Sequence, residues 1–301
     1  MKMKWHPMAP LSGPASRTVL GLILIAGFGW LTWPIWSSFT APDRQNLAAL
    51  RPALFSALAG LVVLLGWAIW RDAGHQMRQL ATIVTLATVA AGFRMLVQPG
   101  ASGIEPVFAF PLLAGVALGS PAGFLTGALA CLGSSAAMGL LADPLIGQCL
   151  VWGLWGAAGG LLRPLGGRSA WVGALAMSLP LGVITGLALN LIGWSGERTA
   201  EVGAFLPGVG WWEAAQRLWA YTRATSITFD LVRTASTATL IAFIGLPLIR
   251  ALRTAVAPDI PAHPTEVIAR PPEITHESLQ RRERSAHLAT LWHRPEGESD
   301  A

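Results

Sequence analysis

Seven residues of this chain carry side chains suited to holding a solute within a very apolar sequence: Arg94, Gln98, Asp143, Gln148, Trp152, Asn190 and Asp230. Arginine and glutamine offer N–H donors to an anionic or carbonyl group. Aspartate and asparagine accept hydrogen bonds, and a tryptophan offers a ring on which a flat group can stack. Their setting gives them weight. From Ala87 to Leu162 the chain runs 76 residues with three charged side chains, Arg94, Glu105 and Asp143. An ionisable group at membrane depth is costly unless it is paired or faces water, so the few that are retained mark working positions. Asp230 and Arg233 are three apart and therefore share one face of a helix. They either neutralise each other and pin that helix, or Asp230 lines the floor of a cavity.

The same inventory argues against catalysis. No histidine falls in an apolar segment: His6 and His75 lie in polar stretches, and His263, His276, His287 and His293 lie in the last 48 residues. The usual general base and the commonest metal ligand are thus missing from the membrane segments. Gly133-Ser134-Ser135 has hydroxyls but no nearby base to activate them. No spaced aspartates suit the Mg²⁺ of a lipid phosphotransferase. Cys131 and Cys149 have no C-x-x-C neighbour and read as small apolar residues. The only lysines are Lys2 and Lys4, so no G-x-x-x-x-G-K-[ST] loop exists to hold nucleotide phosphates. An enzyme is not expected, nor a metal, a cofactor or a nucleic-acid partner. Uphill movement of a solute would draw on an ion gradient or on a partner ATPase.

The elements that position these residues follow from composition. The 301 residues are 53% hydrophobic and 12% charged, with mean hydropathy +0.52, against about 25% charged in soluble domains. Apolar runs of the length that crosses a bilayer recur down the chain, which predicts an all-α polytopic membrane protein. The expected spans are 18–40, 52–70, 79–97, 105–118, 121–141, 146–163, 169–194 and 224–250. Residues 1–17 form an N-terminal tail, 18–78 hold the first two spans, 79–253 a six-helix core, and 254–301 a Pro-, Arg- and Glu-rich tail. Within that tail, Thr275–Trp292 is expected to form one short helix. Small residues at packing spacing (Ala87 and Ala91, Gly115 and Gly119, Gly123 and Gly127) let neighbouring helices approach closely.

Loop cations orient the chain. Lys2, Lys4, Arg17, Arg71, Arg78, Arg163, Arg168, Arg250 and Arg253 fall on one side; Arg44, Arg51, Arg198, Arg217 and Arg223 fall on the other. Nine against five places both termini in the cytoplasm of a multi-pass plasma-membrane protein. Arg94, Glu105 and Asp143 then gather at the outer face, with Gln148 about one turn below it. The segment 195–223, with Trp211, Trp212 and Trp219, is either an interfacial stretch or a lid over an external cavity.

Taken in order, the motifs form a pattern. Arg94-x-x-x-Gln98-Pro99-Gly100 is followed by Pro106 and Pro111, then Gly119-Ser120-Pro121-x-Gly123. Next come Gly139-x-x-x-Asp143-Pro144, Gln148, Trp152-Gly153-x-x-Gly156-x-x-Gly159-Gly160 and Phe229-Asp230-x-x-Arg233. Over Leu80 to Arg253 this resembles the substrate-binding S component of an energy-coupling-factor (ECF) transporter, nearest its cobalamin-type and related actinobacterial branch. The resemblance implies a six-helix core that captures a vitamin-like molecule from outside. It also implies partnership with a transmembrane T component and two ATPases, with Ala87-x-x-x-Ala91 as the docking motif. Spans 18–40 and 52–70 are additions to such a core. Lys2 stands where metal-specific members carry histidine, which points to an organic ligand, possible identities including cobalamin. The contrasting reading is a membrane scaffold or regulatory subunit that binds proteins through small-residue faces and its tail. An ion-coupled transporter finds less support, since no internal repeat emerges.

Overall fold

The computed structural model describes residues 12–36, 44–97, 103–140, 145–194, 203–206, 208–256 and 276–292. Helices α1 (Pro14–Trp36), α2 (Arg44–Asp72) and α3 (Met77–Leu96) come first. A 3-10 turn at Pro106–Phe108 leads into α4 (Ala109–Leu118). Then follow α5 (Ser120–Ala137), α6 (Leu145–Gly159), α7 (Gly167–Trp194), α8 (Trp211–Thr225), α9 (Ile227–Ala255) and α10 (His276–Trp292). No strand occurs among the described residues. Residues Met1–Ala257 form one compact unit that holds α1 to α9, and Pro258–Ala301 form a second that holds α10.

Among the described residues, five helical stretches are long and apolar enough to cross a membrane: Pro14–Thr32, Met77–Leu96, Leu145–Leu162, Gly167–Trp194 and Ile227–Ala255. This is the pattern of an α-helical, multi-pass membrane protein. The expected spans recur as helices with shifted ends. The first starts at Pro14, where a proline's missing N–H costs a helix nothing, and the last starts at Ile227 and runs to Ala255. The segment expected as a long connection contains a further helix, α8. Its Ala214, Leu218 and Thr222 are buried at four-residue spacing, while Trp211, Trp212 and Trp219 face outward. That amphipathic pattern suits a helix lying along an apolar surface. Its buried face joins Leu191, Trp194 and Phe205, and the Trp194 indole N–H donates to the Gly203 carbonyl at 2.7 Å.

The short helix α4 is the centre of the unit. All ten of its residues are buried, as expected of a helix that is apolar on every face. It packs against α3, α5, α6 and α9. Glycine makes that crowding sterically feasible. A methyl on Gly156 of α6 would collide with the Gly123 backbone of α5, and one on Gly115 of α4 would collide with the Gly156 carbonyl. Three helix backbones therefore meet where the sequence shows only small residues, the close approach that such spacing permits. Gly156→Ala is expected to lower stability by about 2 kcal/mol through overpacking, read as a lower thermal midpoint in detergent. Gly60→Ala, at a position with open space around it, should leave the midpoint unchanged or slightly raised.

Helices α1 and α2 are integral to this core. Ile23, Leu65 and Ile69 are fully buried in the same cluster as Leu112 and Phe124, so the first two helices share the interior of the later ones. Ala87 and Ala91 differ from the docking face expected of them. Ala87 is 4% exposed within the core, and Ala91 faces Gly133 of α5. Ala87 is thus taken up by the core of the same chain, while Ala91 stays partly exposed beside α5.

Candidate functional site

A cavity of about 320 Å³ opens at one end of the helix unit. Its lining comes from five places in the sequence: Arg94 at the end of α3; Gly103 and Glu105 before α4; Gln148 and Trp152 on α6; Leu189 on α7; and Ser226, Phe229 and Arg233 at the start of α9. Three residues singled out from sequence, Arg94, Gln148 and Trp152, are thus brought together.

Arg94 is the dominant feature. It is 9% exposed, so it turns inward and does not snorkel to a surface. Its Nη1 donates to the Ser134 and Ser135 hydroxyls at 2.9 and 3.0 Å. Its Cζ lies 5.0 Å from the Trp152 ring centroid, a cation–π distance. The buried Nε has no hydrogen-bond partner, and no ion pair joins the guanidinium to a carboxylate among the described residues. Ser134 and Ser135, which could have been taken for a nucleophile, are donors and acceptors that hold this arginine. Ser134 itself donates to the Ala130 carbonyl.

The facing wall is saturated. Arg233 Nε donates to Glu105 Oε2 at 2.7 Å, and its Nη1 bonds Asp230 Oδ1. The two acids lie 7% and 1% exposed. Glu105 is also latched to α9 by its backbone: its N–H donates to Ser236 Oγ and its carbonyl accepts from Thr237 Oγ1, both at 3.1 Å. The approach depends on Gly103, whose φ of +71° favours glycine and whose missing side chain leaves room for the Phe229 backbone.

Asp230 sits behind the cavity wall. It lies in the first turn of α9, closer to the helix start than the span 224–250 implies, where a carboxylate also complements the helix dipole. It accepts from Ser226 Oγ at 2.9 Å and nests against Gly186 of α7, where any side chain would collide with it. Asn190 ties the same corner, donating to Ser226 Oγ at 2.7 Å and Thr222 Oγ1 at 3.1 Å. Asp230 and Asn190 are therefore positioning residues for Arg233. Gln148 is half-buried, and its amide makes no hydrogen bond among the described residues. Trp152 is 2% exposed. One side of its ring takes Arg94, and Phe108 packs on it at 5.0 Å between centroids. The face a ligand would need holds the arginine instead. Gln98 and Asp143 lie outside the described residues.

Glu105, Ser226, Phe229 and Arg233 complete the lining and were not singled out as site residues from sequence. The visible signal was the intramembrane charge itself, Glu105 in an uncharged stretch and Arg233 three residues from Asp230. Their convergence across 128 positions has no local signature. Among the described residues no three His, Cys, Asp or Glu side chains converge as a metal site. The chain matches no protein-family model, no curated protein and no solved structure.

Proposed function

We propose that this chain is a membrane solute-capture subunit that takes a small organic anion into the Arg94 cavity, working as the S component of an ECF-type importer. The observation that carries the reading is Arg94: a buried guanidinium facing a cavity, held by two hydroxyls and a tryptophan ring, with no carboxylate partner among the described residues. A buried cation left without an anion is costly, and an anionic group entering the cavity offsets that cost. The Gln148 amide adds donors and an acceptor, and the half-exposed Phe229 ring adds an apolar surface. A volume of about 320 Å³ is at the small end of ligand pockets, which suits a ligand well below the size of a corrin macrocycle. With lysine confined to Lys2 and Lys4, the ATP that drives import is hydrolysed by partner subunits. The cavity faces outward and both termini face the cytoplasm of the plasma membrane in this reading.

Two measurements test it. Purified protein should carry a small anion identifiable by mass spectrometry. Cells co-expressing the chain with a T component and its ATPases should take up that compound, and uptake that continues after the ATP sites are inactivated would sink the importer reading. Removing residues 258–301 separates solute capture from scaffolding. That cut spares Arg253 and removes only the second compact unit, so the co-purified ligand and the thermal midpoint should be unchanged. A scaffold working through its tail would lose its protein partners and carry no ligand in either form.

A further inference from the structure

At the other end of α4 lies a second and larger cavity, of about 550 Å³. It is lined by Ser12 and Arg17 at the start of α1, by Gly119, Ser120 and Pro121 at the start of α5, and by Gly160, Leu161, Arg163 and Pro164 after α6. Two of these residues are arginines, and no carboxylate lines the space. Arg253 of α9 lies close by but is engaged in capping. Its guanidinium donates to the Val116, Arg163 and Leu165 carbonyls at 3.1–3.3 Å, groups that helix ends leave without intrahelical partners.

Arg17 and Arg163 have no comparable use. Arg17 reaches only the Ser12 hydroxyl, at 3.4 Å, and the Arg163 guanidinium donates no hydrogen bond among the described residues. The nearest carboxylate on α2, Asp72, accepts the Ser16 N–H at 2.8 Å and so serves the start of α1. Burial, followed by repulsion from Arg253 and Arg17, holds Arg163 below the usual arginine range. Arg17 and Arg163 thus line one space that no carboxylate lines among the described residues. The start of α5 adds to the positive field. Its cap residue is Gly119, with φ +103° and no side-chain cap, so the Ser120 and Ala122 N–H groups at the start of an 18-residue helix are unsatisfied by any side chain among the described residues, Pro121 between them having none.

We propose that this cavity binds the phosphate of an anionic phospholipid headgroup, with Arg163 and Arg17 as its cationic ligands and the start of α5 as a source of backbone donors. Helices that cross a bilayer put their ends at headgroup depth, where basic pockets between helices recognise anionic lipid heads. The inference rests on the membrane character of the helices and is independent of any solute in the Arg94 cavity.

The test uses the full-length protein in detergent, native mass spectrometry and three probes: phosphatidylglycerol, phosphatidylcholine and inorganic phosphate. Phosphatidylglycerol should be retained in preference to phosphatidylcholine. The double variant Arg17→Gln/Arg163→Gln should weaken that retention roughly 20-fold. Arg163→Lys keeps the charge and should recover most of it, which separates loss of a ligand from loss of fold. Arg168→Gln/Arg250→Gln, which removes two nearby arginines that do not line the cavity, should leave it unchanged. Equal retention of the two lipids, or retention indifferent to Arg17 and Arg163, overturns the proposal. Arg163-dependent binding of inorganic phosphate with no retention of phosphatidylglycerol assigns the cavity to a free phosphate and also overturns it.

Discussion

Arg94→Met is expected to abolish ligand capture while leaving the protein at least as stable as before. The two effects separate because of how the arginine is held. In the empty protein its charge is buried with two hydroxyls, an aromatic face and an unpartnered Nε. Replacing a buried ion with an apolar residue of similar volume is often neutral or stabilising by about 1–4 kcal/mol. With a ligand present, the same substitution removes one partner of a buried charge pair, a loss of about 2–5 kcal/mol, roughly 30- to 5,000-fold in affinity. The measurement pairs the amount of co-purified small anion with the thermal midpoint of the same preparation. Arg94→Lys should fall between, since a lysine keeps the charge but not the flat, weakly hydrated guanidinium that lies over the Trp152 ring. A purely structural arginine would show the reverse, a lower midpoint with unchanged ligand content.

Arg233→Gln is expected to be the most destabilising single change at this site. Arg233 is the shared partner of Glu105 and Asp230, and both acids are buried. Removing it leaves two carboxylates facing each other with no cation between them, and breaking a buried pair in this way costs about 3–5 kcal/mol. Glu105→Gln should cost much less. Arg233 keeps Asp230, and the backbone latch of residue 105 onto Ser236 and Thr237 does not use the carboxylate. Thermal unfolding of both variants gives the order, and a Glu105→Gln variant less stable than Arg233→Gln would contradict this account. Since Arg233 lies 5.9 Å from the Phe108 ring, and Phe108 packs on Trp152 beside Arg94, its loss should also weaken ligand retention. The two guanidiniums share one aromatic bridge.

The two walls of the cavity differ in a way that bears on mechanism. Among the described residues, one carries a cation with no carboxylate beside it; the other carries a cation with two acids, so the charge of the described lining is unevenly spread. In the proposed function an anion would bind against Arg94, with the acids keeping the opposite wall from competing for it.

Much of this protein was legible without coordinates. The helices fall close to their expected positions because apolarity sustained over some twenty residues is a local property of the chain. Arg94 could be singled out for the same reason, as a charge in a stretch that otherwise has almost none. The tail helix His276–Trp292 also follows from its own residues. What the sequence could not decide was which groups meet. Whether Arg94 turned inward or reached for the surface depended on Ser134, Ser135 and Trp152, some 40 to 58 positions away. The partner that Arg233 adds to Asp230 is Glu105, on a different segment. Ala87 carries the small side chain of a docking face, yet the core buries it, and Ala91 lies half-buried beside Gly133 of α5. Trp152 has the right ring for stacking, yet that ring already holds Arg94. Apolar length and residue type are summed along the chain, so the sequence determines them by itself. Ion pairing, burial and the direction of a side chain are summed over neighbours in space, and only the tertiary structure chooses those neighbours.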